Sequence, residues 1–354
     1  MPIELPMART VAAKIHTQFP HTDAPAIEQM IDAAFWASLR REEGLTPTIS
    51  LAYLSPEQSS GPILFERPLP LQPESLARLA PAVERPGIHL GVWRHNGELS
   101  VWGATRALPE DCFVLEVIAP GLLVVKQPGN DDSAKFVNVA VLEGDQAKIL
   151  STAATAPPGS PAMVKTLLGL DEISLVLVEL AVSMRKHRRG GALLVVPSSD
   201  GHWHESIVQP MTYRVSPTYA ELAGLLGNYE ARGRRWQDAM HRAVETIAGL
   251  TAVDGATIIT ENCELLSFGA KITRREQAPR VDQVAASELI EGAEVQIIHP
   301  TQLGGTRHLS AAQFAQDQRD AVALVASQDG RFTVFAWSAS LEMVHAYRVE
   351  TFLV

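Results

Sequence analysis

The chain has 354 residues, 46% of them hydrophobic, and carries a formal net charge of −10 at pH 7. This length and apolar content are sufficient for two domains with buried cores. The acidic balance argues against a general DNA- or RNA-binding protein, which needs a basic surface to neutralise phosphates. A local basic site is compatible with it.

The cysteines and the hydropathy pattern favour a soluble, cytoplasmic protein. Cys112 and Cys263 lack CxxC spacing, so we expect neither a disulfide framework nor a zinc site. The first residues include Glu4 and several prolines instead of the apolar core of a signal peptide. The most apolar segment, residues 164–184, contains three carboxylates and is too charged to span a membrane.

The first part of the chain predicts a helix followed by β-hairpins. Apolar residues recur at helical spacing over residues 24–41, and Gly44 is a stop signal after them. Residues 48–54 predict a strand, and the Pro- and Ser-rich residues 55–75 predict a loop with a short helix at residues 73–79. We then expect three hairpins, with strands at residues 90–93 and 99–102 around Asn96-Gly97, at residues 113–118 and 122–126, and at residues 136–142 and 147–150.

The middle of the chain contains a short basic run. A flexible loop at residues 151–162 and a helix at residues 161–187 are expected first, and a buried strand at residues 192–196 follows. The run at residues 185–189 lies at the end of the helix, where cations complement the helix dipole. A second interpretation is a loop that contacts an anion beside Gly190-Gly191.

The last part of the chain alternates helices and strands. Helices are predicted at residues 218–226, 233–250 and 307–316, and strands at residues 253–259, 265–272, 295–298, 321–326 and 332–337. Such alternation with tight hairpins indicates a mixed α/β sheet flanked by helices. We therefore predict a mixed α+β protein with a β-rich N-terminal α+β domain, residues 1–215, and a C-terminal α/β domain, residues 216–354.

Two motifs in the C-terminal part suit a nucleotide. Gly304-Gly305-Thr306-Arg307-His308 opens a helix, where glycines allow close approach, helical N–H groups point at an anion and a guanidinium adds charged donors. Asp254-Gly255-Ala256 joins a helix to a strand, where a carboxylate can hold a metal ion or a ribose hydroxyl. The alternative interpretation makes Asp254 an ordinary turn residue and His308 a capping or surface residue.

These motifs carry a resemblance to a known family. Asp254-Gly255-Ala256, the return strand with Phe268-Gly269-Ala270, Gly305-Thr306-Arg307-His308 and Ser327 at a strand end make residues 216–354 similar to the diadenylate cyclase (DAC, DisA-N-like) superfamily. In that superfamily the Asp-Gly-Ala and Arg-His-Arg motifs bind ATP and close it into cyclic di-AMP. The preceding part resembles the N-terminal region of the DACNV group, which are predicted bacterial nucleotide sensors.

The resemblance implies roles for the motif residues. Asp254 would orient a ribose hydroxyl or a metal, Gly255 and Ala256 would leave room for the nucleotide, and Thr306, Arg307 and His308 would hold phosphates or metal. The cyclase reaction joins two ATP molecules across a dimer and depends on positioning and charge neutralisation.

Two departures from the family pattern weaken catalysis more than binding. Leu309 stands where the family has its second arginine, which removes about 1–3 kcal/mol of charge-assisted bonding to phosphate. Gln328-Asp329 stands where the family has an acidic pair, so one carboxylate for a metal is missing. Catalysis needs interactions that are stronger in the transition state, whereas binding needs only part of the constellation.

The leading hypothesis is a sensor that binds a nucleotide or a cyclic dinucleotide and is not a synthase, so no catalytic residue is asserted. Its ligands would be an ATP-like molecule or a cyclic dinucleotide, and its partners a second copy and an effector protein. The alternative is an active diadenylate cyclase in which Asp254, Arg307 and His308 are catalytic and Asp254 and His308 hold Mg²⁺ or Mn²⁺. A third hypothesis is a scaffold that has lost its ligand. The expected ligand-binding residues are Asp254, Gly255, Ala256, Gly304, Gly305, Thr306, Arg307 and His308.

Overall fold

A computed structural model divides the chain into two compact units, residues 1–152 and residues 153–353. The structure describes residues 6–19, 21–41, 47–85, 87–128, 136–143, 146–149, 172–199, 201–227, 234–288 and 293–349. Among these residues, no helix has the length and apolar character needed to cross a membrane. Gly44, the expected loop at residues 151–162 and the first part of the expected helix at residues 161–187 lie outside the described residues.

The first unit is an eight-stranded sheet with helices packed on one face. Its helices are α1 (Pro6–Ile15), α2 (Ala24–Ser38) and α3 (Pro73–Val83). The strands are β1 (Ile49–Tyr53), β2 (Ile63–Pro70), β3 (His89–His95), β4 (Glu98–Thr105), β5 (Phe113–Ala119), β6 (Leu122–Pro128), β7 (Phe136–Glu143) and β8 (Gln146–Ile149). The strand order is β2-β4-β3-β1-β5-β6-β7-β8, and neighbours are antiparallel except for the parallel pair β1 and β3.

Local sequence signals explain much of this unit. Asn96 and Gly97 both have positive φ, as the two-residue turn between β3 and β4 requires, so the predicted hairpin is confirmed. Helix α2 begins where the Asp23 carboxylate accepts a hydrogen bond from the Ala26 amide at 2.8 Å. Its apolar stripe is buried in the core that α1, α2 and α3 share with the sheet.

Residues 63–70 form strand β2, so the loop expected over residues 55–75 is wrong for this part of the chain. Pro68 and Pro70 interrupt the strand pattern in the sequence, but β2 is the edge strand next to β4, where a residue without a backbone N–H is tolerated. Ile63 in this strand is 69% exposed. No residue of β2 is fully buried, so neither of its faces shows the apolar alternation that would have indicated a strand.

The second unit is a nine-stranded sheet covered on both faces. Its helices are α4 (Glu172–Lys186), α5 (Glu221–Gly227), α6 (Arg234–Leu250) and α7 (Thr306–Asp317). The strands are β9 (Gly191–Val196), β10 (Tyr213–Tyr219), β11 (Ala256–Thr260), β12 (Leu265–Ala270), β13 (Val284–Glu288), β14 (Gln296–Ile298), β15 (Val322–Ala326), β16 (Phe332–Ser338) and β17 (Met343–Arg348). The strand order is β10-β12-β11-β9-β15-β16-β17-β13-β14.

Alternating side chains of the central strand β9 explain the layers. Leu193 and Val195 join the core under α4 and α6, whereas Leu194 and Val196 join the core under α7. Both faces are buried, so β9 is apolar throughout. The two units together confirm the predicted mixed α+β class, and the second confirms a mixed sheet flanked by helices.

The division between the units differs from the expected boundary between residues 215 and 216. Strands β9 and β10 begin before that boundary and pair with β11 and β12 of the second sheet. Strand β9 lies between β11 and β15, so its burial requires the C-terminal strands around it. The hairpin series of the first unit ends earlier, and the division therefore falls at residues 152 and 153.

Candidate functional site

The strand ends of the second sheet gather polar residues along one edge. The pairs Ala192 with Ala256 and Gly191 with Ala326 place the first residues of β9 and β11 beside the last residue of β15. The pairs Ala326 with Phe332, Thr333 with Arg348 and Glu288 with Arg348 continue this edge through the start of β16 and the ends of β17 and β13. Residues at these strand ends, or one or two positions beyond them, therefore follow one another along the same edge. In strand order they are Lys271, Asp254, Gly190, Ser327, Arg331 and Glu288.

The Asp254-Gly255-Ala256 motif forms one part of this edge. Gly255 has φ +111°, and a Cβ built on it would lie 2.5 Å from the carbonyl carbon of Gly269, so only glycine fits between β11 and β12. Ala256 is buried as the first residue of β11. Asp254 points outward: its side chain is 83% exposed and pairs with the Lys271 ammonium.

Two cations lower the pKa of Asp254. The Lys271 ammonium is the main cause, through its hydrogen bond and its charge, and the Arg307 guanidinium adds a smaller electrostatic effect. The carboxylate is therefore ionised at neutral pH. The effect of Arg307 also shows that the two sequence motifs, some fifty residues apart, lie within electrostatic range of each other.

The N-terminus of α7 forms the centre of the edge. A cavity of about 390 Å³ lies between residues 304–308 and the hairpin that joins β15 to β16. Gly305 is the N-cap residue and contributes no capping side chain, and the amides of Thr306 and Arg307 precede the first turn that helical carbonyls can satisfy. A Cβ built on Gly190 would lie 3.1 Å from Nη1 of Arg307, so the guanidinium packs directly on that glycine.

The buried His308 side chain packs against Gly304 in the loop that precedes α7. Its side chain is 2% exposed, and Nε2 lies 3.5 Å from the Ser327 hydroxyl. A Cβ on Gly304 would come within 2.3 Å of the imidazole Nδ1, so the ring occupies the space that a side chain at residue 304 would need. Burial is the main reason why the pKa of His308 falls to about 4, and the imidazole is neutral at neutral pH.

Residues that the sequence motifs did not include also line the edge. Arg331 lies on the cavity wall, and its Nε donates to the Asp329 carboxylate at 2.8 Å; this guanidinium keeps the pKa of Asp329 below its usual range. Arg185 donates to the Gly330 carbonyl at 2.9 Å and so holds the same hairpin. Lys271 and Arg331 were missed because their place at the site follows from strand pairing rather than from a local pattern.

The two departures from the family pattern have different surroundings. Leu309 packs against the apolar core under α7. Gln328 is exposed, and its amide donates to the Arg189 carbonyl at 3.4 Å. The loop at residues 188–190 therefore adjoins the α7 cavity, which agrees with the second interpretation of the basic run, while Arg185 and Lys186 do lie in the last turn of α4.

The candidate metal ligands Asp254 and His308 differ in exposure. The Asp254 carboxylate faces solvent and Lys271, whereas the His308 imidazole is buried behind Gly304. Within the described part of the chain, no group of three or more His, Cys, Asp and Glu side chains has the arrangement of a metal site.

Comparison with known families places a match in the first unit. The family model described as "Probable sensor domain DACNV" matches residues 16–106, which include α2, α3 and β1 to β4. This agrees with the resemblance of the N-terminal part to that group. The similarity of residues 216–354 to the diadenylate cyclases stays a prediction from the sequence motifs. No curated protein matches the chain significantly.

Proposed function

We propose that the protein is a sensor whose second unit binds a nucleotide by its phosphates. The sensor class rests on the match of residues 16–106 to the DACNV model. The ligand class rests on the cavity at the N-terminus of α7, which is lined by the first turn of that helix, a glycine pair and Arg307. Binding would alter the association of the protein with an effector or with a second copy.

The observation that carries this proposal is the meeting of distant glycines and charges at one edge. Gly255 and Gly304 have no space for a side chain, because they lie against the Gly269 carbonyl and the His308 ring. Gly190 has little, because it lies against the Arg307 guanidinium. Of the glycines at this edge, Gly304 and Gly305 line the cavity itself. A phosphate there would accept hydrogen bonds from helical amides and from a guanidinium.

Binding without cyclisation fits the charges better than synthesis does. The Asp254 carboxylate, which a cyclase would use for ribose or metal, already pairs with Lys271. Leu309 supplies no guanidinium and Gln328 supplies no carboxylate, so less charge is available to stabilise a phosphoryl-transfer transition state. The remaining donors suffice to bind a ground-state phosphate.

The test is a calorimetric and thermal-shift screen of ATP, other nucleoside triphosphates and cyclic dinucleotides, with and without Mn²⁺. The same samples are chromatographed for products. We expect a nucleotide to raise the melting temperature of the wild type without forming a product, since a ligand of the folded state stabilises it by mass action. Arg307→Ala should reduce this rise, whereas Arg242→Ala, an exposed arginine on α6, should keep it in full.

The diadenylate cyclase remains the second candidate because Asp254, Gly255, Arg307 and His308 of its motifs lie at the same edge. Formation of cyclic di-AMP that depends on Mn²⁺ and disappears in Asp254→Asn would replace the sensor proposal. A complete lack of response to every nucleotide would contradict both.

A further inference from the structure

A second cavity lies farther along the same edge of the second sheet. It has a volume of about 460 Å³ and is formed by the ends of β13, β14, β16 and β17 together with the turn that precedes α7. Its polar lining includes two carboxylates and two guanidiniums, those of Glu288, Glu294, Arg331 and Arg348. Ser287, Gln296, Gln302 and Thr333 add neutral polar groups. Neither sequence motif contributes a residue to it.

The two cavities adjoin each other. Arg331 lines both, and the Asp329 carboxylate fixes its guanidinium through Nε at 2.8 Å. Leu303 of the second cavity is followed directly in the chain by Gly304 of the first. A single ligand can therefore extend from the N-terminus of α7 past Arg331 into the second cavity.

The strand order shows on which side of the α7 cavity such an extended ligand would lie. Asp254 precedes β11, on the β9 side of the α7 cavity, whereas the second cavity lies on the β16 side, towards β14. Neighbouring strands are about 4.8 Å apart, so the three steps from β16 to β14 provide roughly 14 Å along the edge. That length is sufficient for a base and a sugar.

The lining of the second cavity suits a nucleoside better than a second phosphate. The Gln296 and Gln302 amides each donate and accept hydrogen bonds, as the edge of a base requires, and Thr333 adds a hydroxyl. The Ser287 hydroxyl lies 2.8 Å from Nε2 of His345 and is already engaged in that hydrogen bond. Ala286, Ile298 and Leu303 supply apolar surface. The Arg348 guanidinium is already paired with Glu288 at 3.0 Å, so its charge is compensated.

We infer that the second cavity holds the base and sugar of the nucleotide whose phosphates bind at α7. This inference rests on the proposed function and specifies it. It differs from the arrangement that the cyclase resemblance implies, in which Asp254 orients the ribose on the opposite side of Arg307.

The experiment compares ATP with inorganic triphosphate, which carries the phosphates alone. Calorimetric dissociation constants are measured for the wild type, for Gln296→Ala combined with Gln302→Ala, for Asp254→Asn, and for Gln283→Ala as an exposed glutamine that lines neither cavity. Melting temperatures without ligand check that each variant is folded.

We expect the wild type to bind ATP more tightly than triphosphate. The double glutamine variant should lose about tenfold in affinity for ATP, which corresponds to the loss of two ordinary hydrogen bonds, and should bind triphosphate unchanged. Gln283→Ala should retain the preference for ATP.

Two results overturn the inference while the proposed function stands: ATP and triphosphate bind equally in all folded variants, or Asp254→Asn loses the preference for ATP and the double glutamine variant keeps it. If the wild type binds neither compound, the proposed function fails and the inference fails with it.

Discussion

Two buried histidines show how differently the two units use polar residues. His89 in the first unit is 1% exposed, and its Nδ1 lies 2.7 Å from the Ser50 hydroxyl, next to an ion pair of Glu116 and Lys126. His308 in the second unit is buried to the same degree but lies on the wall of the α7 cavity. Burial lowers the pKa of both imidazoles to about 4.

The difference lies in where the neighbouring polar groups point. Around His89 the hydroxyl, carboxylate and ammonium satisfy one another within the sheet of the first unit. Beside His308, the first amides of α7 and the Arg307 guanidinium face a cavity. The first cluster therefore stabilises a fold, whereas the second has donors that face a cavity, which is where we propose that a phosphate binds.

The largest effect is expected where the site depends on a glycine. In Gly255→Ala, a Cβ would lie 2.5 Å from the Gly269 carbonyl carbon at φ +111°, so the junction of β11 and β12 must shift. We expect a loss of about 3 kcal/mol in the free energy of unfolding, measured by urea denaturation. Gly249→Ala in α6, where no atom lies within 4 Å of the new Cβ, should leave stability unchanged or slightly raised. Equal stability of both variants would contradict the packing described for Gly255.

Acid should destabilise the protein through its buried histidines. The folded-state pKa of His89 is about 4, below the ordinary value of 6.5, so the unfolded state binds more protons between these values. Stability is therefore complete above pH 6.5 and is lost as the pH falls towards 4, by at most about 3 kcal/mol for each such histidine. The pH dependence of the unfolding free energy should become shallower in His89→Gln. An unchanged slope in that variant would mean that His89 does not titrate differently on folding.

Loss of the Arg307 guanidinium should weaken nucleotide binding by about 2 kcal/mol, or roughly 30-fold, because a charged hydrogen-bond donor is removed from phosphate. Isothermal titration of the best nucleotide measures the effect. Arg94→Ala in the first unit removes an equally charged side chain, one that pairs with Asp23 at 2.9 Å, and should not change the affinity. If Arg94→Ala weakens binding and Arg307→Ala does not, the nucleotide binds to the first unit and the proposed site is wrong.

The smallest effect is expected for Lys271→Met. The Asp254 carboxylate loses the cation that chiefly lowers its pKa, so this pKa should rise towards the ordinary value for Asp. Both side chains are largely exposed, and we expect no measurable change in melting temperature. An NMR titration of the Asp254 carboxyl resonance tests this; a pKa that does not move would show that the pair is not formed in solution.

Local patterns predicted the elements whose cause is local. The Asn96-Gly97 turn and the helix after Gly305 could be read directly, because positive φ and the start of a helix leave signatures of one or two residues. Strand β2 was not predicted because Pro68 and Pro70 interrupt the strand pattern of this edge strand. The boundary at residue 152 was missed because β9 is identified as the centre of the second sheet only once its partners β11 and β15 are known.

Some residues of the candidate site were likewise evident from the sequence, and others were not. The Asp254 and Arg307 motifs were evident from residue type and spacing, and the strand registers bring them to one edge. The loop at Gly190 was predicted only as an alternative anion contact. Lys271 and Arg331 reach that edge from two other parts of the chain, and no local sequence pattern groups them with the motifs. The buried position of His308 was equally hidden, since its cause is the contact with Gly304.

Hydrogen–deuterium exchange with and without ATP tests the contrast between the two units most directly. The account predicts slower exchange on ligand addition at the amides of Thr306 and Arg307 and in the hairpin at residues 327–331, with no change in β3 and β5 around His89. Protection confined to the first unit, with α7 unaffected, would contradict a nucleotide site at the N-terminus of α7.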